Sequence, residues 1–226
     1  MIENIMTPAP FIRPFPAFED VFGEPASLHR KHFLPLVSVD ISLAHPDLTG
    51  WLPIVMPVEP LLEGNVGDWT SEYFDFYNKV GQIAFHVSEG RYTFPGDFRF
   101  FAYESGAIFR IFSGRDDEIH ADYSRRISSY ERNRVGFLQH GRIPWSEYSV
   151  LDPGTDEECG PLVSQLGGEP TRGNLGAPWP PSNRQGKPLR FIAEVQGFSY
   201  CDGGTQAVLL FYDPEEQIAL FRFDWT

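Results

Sequence analysis

The sequence predicts an α+β fold: a predominantly antiparallel sheet with one main amphipathic helix at about residues 117–140 and long loops rich in glycine and proline. Three strand patterns near the C-terminus are separated only by short turns, which is typical of antiparallel neighbours. The region 117–140 has apolar residues at helical spacing instead. Residues 152–188 are rich in Gly and Pro, which favours long ordered loops.

Residues 1–30 are predicted to form an extended N-terminal arm. Prolines and phenylalanines alternate along it: Pro8, Pro10, Pro14 and Pro16, with Phe11, Phe15, Phe18 and Phe22. The prolines would break a signal helix, and no basic start precedes an apolar run. We expect the rings to pin the arm over a sheet edge or an opening of the core.

The first half of the chain contains three further strand patterns. Residues 33–42 alternate apolar with small or polar side chains, and Pro35 places this strand at a sheet edge or puts the proline at the strand's start. The segment 50–60 has three prolines, which exclude a helix and favour irregular or edge-strand structure. Residues 82–88 form a third candidate strand.

Residues 97–113 are predicted to form a hairpin. The two candidate strands are 97–104 and 107–113, and turn residues at 104–106 separate them. Apolar residues fall on both faces of the first strand, so we expect both of its faces to be covered.

The strongest helical pattern begins with three carboxylates, Asp116, Asp117 and Glu118, which suit the positive end of a helix dipole. Its apolar residues fall near helical spacing: Ile119, Tyr123, Ile127, Tyr130 and Leu138. Gly141 and Pro144 should stop it.

The chain closes with three candidate strands, 189–196, 205–212 and 217–225. Turn residues such as Gly203, Gly204 and Pro214 lie between them, so the strands should pair as antiparallel neighbours.

Charge restricts the partners of this chain. Its 226 residues include 31 Asp and Glu but only 18 Lys and Arg, which gives a formal charge of -13. Such a surface repels nucleic acid and anionic membranes and attracts cationic proteins, although it also serves simply to keep a protein dissolved.

No stretch of about 20 apolar residues could form a transmembrane helix. Cys159 and Cys201 are too few for a disulfide framework, so we expect thiols in a cytoplasmic protein, with one bridge left open as the alternative.

Several motifs between residue 164 and the C-terminus occur in a recognisable order. They are SQLGGEP at 164–170, PWP at 178–180, GKPLRFIAEV at 186–195, Gly203-Gly204 and VLLFYDPEEQIALFRFDW at 208–225. This region resembles the signature of the YwqG-like family, a bacterial family of unknown function. The resemblance implies one YwqG-like domain over 1–226, with residues 164–226 as its signature region and an antiparallel α+β fold. It supplies no catalytic residues, and Glu194 stands where the family commonly has Gln.

Known catalytic motifs are missing. The chain has no Gly-x-Ser-x-Gly elbow, no His-Glu-x-x-His helix and no Cys-x-x-Cys pair. Gly186-Lys187 is followed by Pro188 rather than Ser or Thr, which excludes a phosphate-binding loop. We therefore predict no catalytic residue and no cofactor, and we lean against an enzyme.

Histidines offer one candidate metal set. His29 and His32 form a His-x-x-His pair with Asp40 and His45 downstream, but the basic residues between the pair would repel a cation, so surface histidines are favoured over a metal site. His86 is predicted to be a hydrogen-bonded core or half-buried residue. His120 and His140, like His86, could activate a nucleophile only through tertiary proximity.

The acidic clusters 116–118, 156–158 and 215–216 are individually typical of helix starts or solvated turns. Together they could form a patch that attracts a cationic protein, with Trp145 and Tyr148 as ring anchors. The predicted partner-binding residues are Asp116, Asp117, Glu118, Trp145, Tyr148, Asp156, Glu157 and Glu158.

The leading functional hypothesis is a non-enzymatic protein-binding protein, specifically an immunity protein that occludes a basic toxin domain such as a nuclease. The YwqG-like resemblance favours it because members of the family occur among proteins suspected of protecting bacteria from their own toxins. Two alternatives stay open: a small-molecule or peptide-binding module with an aromatic pocket, and an enzyme of unrecognised type.

Overall fold

The computed structural model describes residues 1–144, 159–170, 175 and 179–225. The fold is α+β with antiparallel sheets, as the sequence predicts. The strands are β1 (Ile2–Ile5), β2 (Ile12–Pro14), β3 (Phe33–Asp40), β4 (Trp51–Pro57), β5 (Gln82–Ser88), β6 (Arg91–Thr93), β7 (Ile143–Pro144), β8 (Cys159–Gly160), β9 (Val163–Leu166), β10 (Arg190–Val195), β11 (Ala207–Asp213) and β12 (Ile218–Asp224). The α-helices are α1 (Phe18–Val21), α2 (Ala26–His32), α3 (Ala107–Ile111) and α4 (Asp116–His140). Single 3-10 turns occupy Ile41–Leu43, Ser71–Tyr73, Phe98–Phe100 and Gly197–Ser199.

Seven strands form the main sheet, in the order β1-β9-β10-β11-β12-β5-β6. A three-stranded sheet has the order β2-β3-β4, and β7 pairs with β8. The three predicted C-terminal strands are confirmed, because β10, β11 and β12 are consecutive antiparallel neighbours in the main sheet.

Aromatic rings join the two sheets in the core. Phe33 of β3 lies 4.9 Å from the Phe85 ring of β5 and 5.2 Å from Phe101, centroid to centroid. The opposite face of the main sheet carries a smaller apolar cluster, in which Trp179 packs edge-to-face on Phe211 at 5.7 Å. Both faces of β11 are therefore covered, which explains its nearly continuous apolar sequence.

The beginning of the N-terminal segment adds a strand to the edge of the main sheet. β1 pairs with β9 and becomes the last strand of the main sheet on that side. Two of its predicted anchoring rings, Phe15 and Phe22, are buried. The arm also contains helix α1 and the start of α2, which the sequence analysis did not predict.

The position of Pro35 differs from the prediction. β3 is the middle strand of its sheet, and Pro35 lies inside it rather than at an edge or at the start. The pairing of β3 with β4 shifts between Pro35 and Val37, and such an irregularity accommodates a residue without an N–H donor. The edge-strand expectation for residues 50–60 is confirmed by β4.

A hydroxyl from α4 binds this irregular segment. The Tyr130 hydroxyl donates to the Pro35 carbonyl at 2.5 Å in a buried position. We expect Tyr130→Phe to lower the free energy of unfolding by about 1–2 kcal/mol, because the carbonyl loses its partner away from water. Urea unfolding measures the change, with Tyr103→Phe, whose hydroxyl is exposed, as the control. Equal stability of the two variants would contradict this assignment.

The predicted hairpin at 97–113 is wrong. Phe98–Phe100 is a 3-10 turn and residues 107–111 form helix α3. The Asp97 carboxylate accepts the Arg99 N–H at 2.9 Å, while the Glu59 carboxylate accepts the N–H groups of Ala102 (2.8 Å) and Tyr103 (2.7 Å). Side chains thus satisfy backbone donors that a strand ladder would otherwise satisfy. The apolar residues of this segment resembled a strand with two covered faces because most of them are buried in a turn instead.

Helix α4 is confirmed and begins one residue before the predicted start. Gly141 ends it with a left-handed φ of 70°, and its N–H donates to the Phe137 carbonyl at 2.7 Å. Of the predicted apolar positions, Leu138 points outward at 67% exposure, and Phe137 is buried in its place.

Cys159 and Cys201 are both buried, and they are not joined in a disulfide. Of the helices in the described ranges, none combines the length and the apolar character that a membrane crossing requires. The Gly/Pro-rich segment 152–188 falls only partly within the described residues.

Candidate functional site

The first turn of α4 presents the predicted carboxylates to solvent. Asp116, Asp117 and Glu118 are all exposed, at the end of the helix where free N–H groups favour negative charge. Arg115 pairs with Glu118 at 2.7 Å and lowers the pKa of that carboxyl. Asp116 and Asp117 have no ion-pair partner among the described residues, so they can attract a cation from outside.

Exposed apolar side chains lie beside this turn. Trp69 is 37% exposed, and its ring packs edge-to-face on Phe112 at 5.3 Å between centroids. Ile111, at the end of α3, is 53% exposed. Trp69 also has a left-handed φ of 64°, which is rare for a bulky residue and costs on the order of 1 kcal/mol or more. The fold therefore holds a large ring at the surface in a strained conformation.

The loop 62–69 brings more carboxylates to the same surface. The Leu62 N–H donates to Asp122 of α4 at 2.9 Å, which fixes the loop against the helix. The hydrogen bond from Arg115 to Glu118 raises the pKa of that guanidinium, and the nearby charge of the exposed Glu63 also raises it. The Asp68 carboxylate accepts the Asn65 N–H at 2.7 Å. We call this region the acidic–aromatic surface; it comprises Glu63, Asp68, Trp69, Ile111, Phe112, Asp116, Asp117 and Glu118.

The structure describes only some of the other acidic and aromatic residues that the sequence singled out. Trp145, Tyr148, Asp156, Glu157 and Glu158 lie outside the described residues. The Glu215–Glu216 cluster is engaged elsewhere: Glu215 pairs with Lys187 at 2.7 Å, and Glu216 accepts the Tyr77 hydroxyl at 2.6 Å.

The two histidines of the His-x-x-His pair are buried, not at the surface as predicted. His29 accepts the Phe94 N–H on Nε2 at 3.0 Å, so its proton is on Nδ1, which donates to the Gly23 carbonyl at 3.1 Å. Burial lowers the pKa of His29. His32 contacts Glu104 at 3.1 Å.

No group of three or more His, Cys, Asp or Glu residues that could hold a metal occurs in the described part of the chain. The downstream members of the candidate set have structural contacts instead. Asp40 accepts the Ser42 N–H at 3.0 Å, and His45 bonds the Phe191 carbonyl at 2.8 Å. His86, predicted to be at least half-buried, is exposed on β5.

A titratable cluster that the sequence analysis missed lies where α2 meets the 101–105 turn. Lys31 donates to Glu104 at 2.5 Å, and His32 shares the same carboxylate oxygen. The Tyr103 hydroxyl bonds His120 at 2.9 Å. The hydrogen bonds of His32 and His120 go to Glu104 and to the Tyr103 hydroxyl, so this arrangement shows hydrogen bonding and not the pairing of a histidine with a Ser or Cys nucleophile. The sequence analysis missed this cluster because it wrongly predicted a strand at residues 97–104.

A second missed group lies on the main sheet. Glu194 on β10 and Asp224 on β12 are close enough to interact, and burial together with this like charge raises the pKa of Glu194. On the same face Arg222 bonds Gln82 at 3.2 Å. The strand register brings these residues together, and of this group the sequence analysis singled out Glu194 alone, through the YwqG-like resemblance.

Comparison of this chain with protein-family models, with curated proteins and with solved structures finds no match in any of the three.

Proposed function

We propose that this chain is a non-enzymatic protein that binds a cationic protein partner through the acidic–aromatic surface. The observation that carries the proposal is a combination. Asp116 and Asp117 are exposed carboxylates with no ion-pair partner in the described part of the chain, and the exposed Ile111 and Trp69 lie next to and against Phe112, just before them in the chain. Charge alone would be compatible with simple solubility. Large apolar groups held among those charges are what an interface requires in addition.

The charges and the rings would have different effects on binding. Carboxylates at the rim of an interface accelerate association with a basic partner and make the rate sensitive to salt. Trp69 would provide buried area at the centre, where aromatic residues contribute most of the binding energy. The strained backbone at Trp69 is consistent with a functional requirement for that ring at the surface.

The finer form of the proposal is an immunity protein that occludes a toxin domain such as a nuclease in the cytoplasm. A nuclease cleft is built to hold phosphates, so it presents cationic side chains that a carboxylate-rich surface can cover. The resemblance to the YwqG-like family supports this form. Cys159 and Cys201 form no disulfide, which is compatible with a reducing compartment.

We expect the double charge reversal Asp116→Lys/Asp117→Lys to weaken partner binding at least about tenfold, because each substitution replaces an attraction by a repulsion. Trp69→Ala should cost a similar factor by removing the central ring. The partner would be isolated from the source cells on immobilised protein at low salt, purified, and titrated at 50 and 300 mM salt. Loss of affinity at the higher salt is expected for the unmodified chain.

The matched control is Glu3→Lys/Glu169→Lys, which changes the net charge equally at two exposed carboxylates outside the surface. Lysines at the start of a helix oppose its dipole and therefore lower the stability of the fold. The variant Asp116→Asn/Asp117→Asn removes the two negative charges without adding lysines. Unfolding curves of all variants then show whether a loss of binding comes from a loss of stability. A partner that is not basic, or that binds the reversed and control variants equally well, would refute the proposal.

A further inference from the structure

An open cleft of about 790 Å³ lies on the outer face of the three-stranded sheet. Its floor is one row of paired residues: Arg13 on β2, Ser38 on β3 and Pro53 on β4. The neighbours of these residues along each strand point into the core, because side chains alternate across a sheet. Its volume falls in the range of sites for small organic ligands.

Arg13 has the geometry of a binding group. Its guanidinium carbon lies 3.7 Å from the centroid of the Trp51 ring, so the flat group is stacked on the indole. No carboxylate of the described residues forms an ion pair with it. Stacking holds the guanidinium in place, and its N–H groups stay available to donate two parallel hydrogen bonds to a planar oxyanion.

Charges of both signs line the cleft. Arg91 adds a second guanidinium, whose nearest carboxylate, Glu89, is 3.9 Å away. Asp20 and Glu89 are exposed carboxylates on the walls, whereas Glu19 is already paired with Arg30. These carboxylates would repel a phosphate dianion, but they suit a ligand that has an ammonium group as well as an oxyanion.

We propose that this cleft binds a small zwitterion, either a free α-amino acid or a short peptide with both termini free. The ligand carboxylate accepts hydrogen bonds from Arg13, and its ammonium group donates to Asp20 or Glu89. Trp51, Pro16 and Pro53 provide apolar wall for the ligand's carbon atoms. The site shares no residue with the acidic–aromatic surface, so this inference does not depend on the proposed function.

The test is a thermal-shift screen followed by titration calorimetry, using the twenty free amino acids and a set of dipeptides. The same compounds as C-terminal amides and as N-acetyl derivatives, together with inorganic phosphate, complete the panel. We expect saturable binding of at least one zwitterion and at least about tenfold weaker binding of its amide and acetyl forms, which each lack one charge. Comparison of amino acids with dipeptides identifies the ligand class.

Arg13→Gln should weaken that binding at least about tenfold, since a neutral amide cannot replace the positive charge and the paired N–H donors of the guanidinium. The control is Arg184→Gln, another exposed arginine near an aromatic ring, 5.5 Å from Tyr77, and it should bind as the unmodified chain does. Arg13 is exposed, so the variant should fold, and circular dichroism checks this.

Three results would overturn the proposal. The first is no stabilisation by any zwitterion at about 10 mM, a concentration that detects even weak binding. The second is equal binding of the amide or acetyl forms. The third is binding of inorganic phosphate in preference to every zwitterion, which would indicate a simple anion site.

Discussion

Phe33→Ala should lower the free energy of unfolding by about 3–5 kcal/mol. Phe33 is 1% exposed and its ring contacts the rings of Phe22, Phe85, Phe94 and Phe101. These rings come from the N-terminal arm, the main sheet and the 101–105 turn, so the truncation leaves a cavity at the junction of three parts of the fold. Chemical denaturation with urea measures the loss as a lower midpoint.

Two control variants distinguish the effect of the cavity from the effect of removing a phenylalanine at any position. Phe33→Leu keeps most of the volume and should cost less than half as much as the alanine variant. Phe76→Ala removes a ring that is 42% exposed and should cost less than about 1 kcal/mol. A loss below about 1.5 kcal/mol for Phe33→Ala would show that this junction is not a packed core.

The pH dependence of stability should contain two opposing contributions, from Glu59 and His32. Burial raises the pKa of Glu59 from its ordinary 4.5 to about 7, against the opposing effects of its backbone hydrogen bonds and of Arg126 and Lys31. Burial lowers the pKa of His32 from 6.5 to about 4, although Glu104 raises it. The nearby charges of Lys31 and His29 add to the lowering at His32.

The signs of the two contributions differ. Folded Glu59 binds its proton more tightly than the unfolded chain does, so its contribution to stability is present below pH 4.5 and is lost as the pH rises through 7. Folded His32 binds its proton more weakly, so its contribution is present above pH 6.5 and is lost as the pH falls through 4. Each change amounts to about 3 kcal/mol, and the two slopes cancel between pH 4.5 and 6.5.

Single variants should reveal each slope. Relative to the unmodified chain, His32→Gln should become less stable as the pH rises from 4 to 6.5, because it lacks the contribution that the histidine gains there. Glu59→Gln should become relatively more stable as the pH rises from 4.5 to 7. Urea unfolding at half-unit pH steps gives both difference curves, and the double variant should lack both of these contributions. Flat curves for both single variants would contradict the assignment.

Local sequence signals predicted the regular elements well. The apolar spacing and the carboxylates at its start predicted α4, and the alternating strands with short turns predicted the order of β10, β11 and β12. The prediction failed at 97–113, where the donors of Ala102 and Tyr103 bond to Glu59, 43 and 44 residues away in sequence. No local pattern carries that information.

The candidate site was predictable only in part, for the same reason. The sequence by itself determined the negative charge, the strand and helix periods and the exposed carboxylates at the start of α4, because charge and periodicity depend on neighbouring residues. Only the tertiary structure packed Trp69 on Phe112 just before those carboxylates, buried His29 and His32, and stacked Arg13 on Trp51. These features depend on contacts between residues distant in the chain, and such contacts are set by sheet register and core packing.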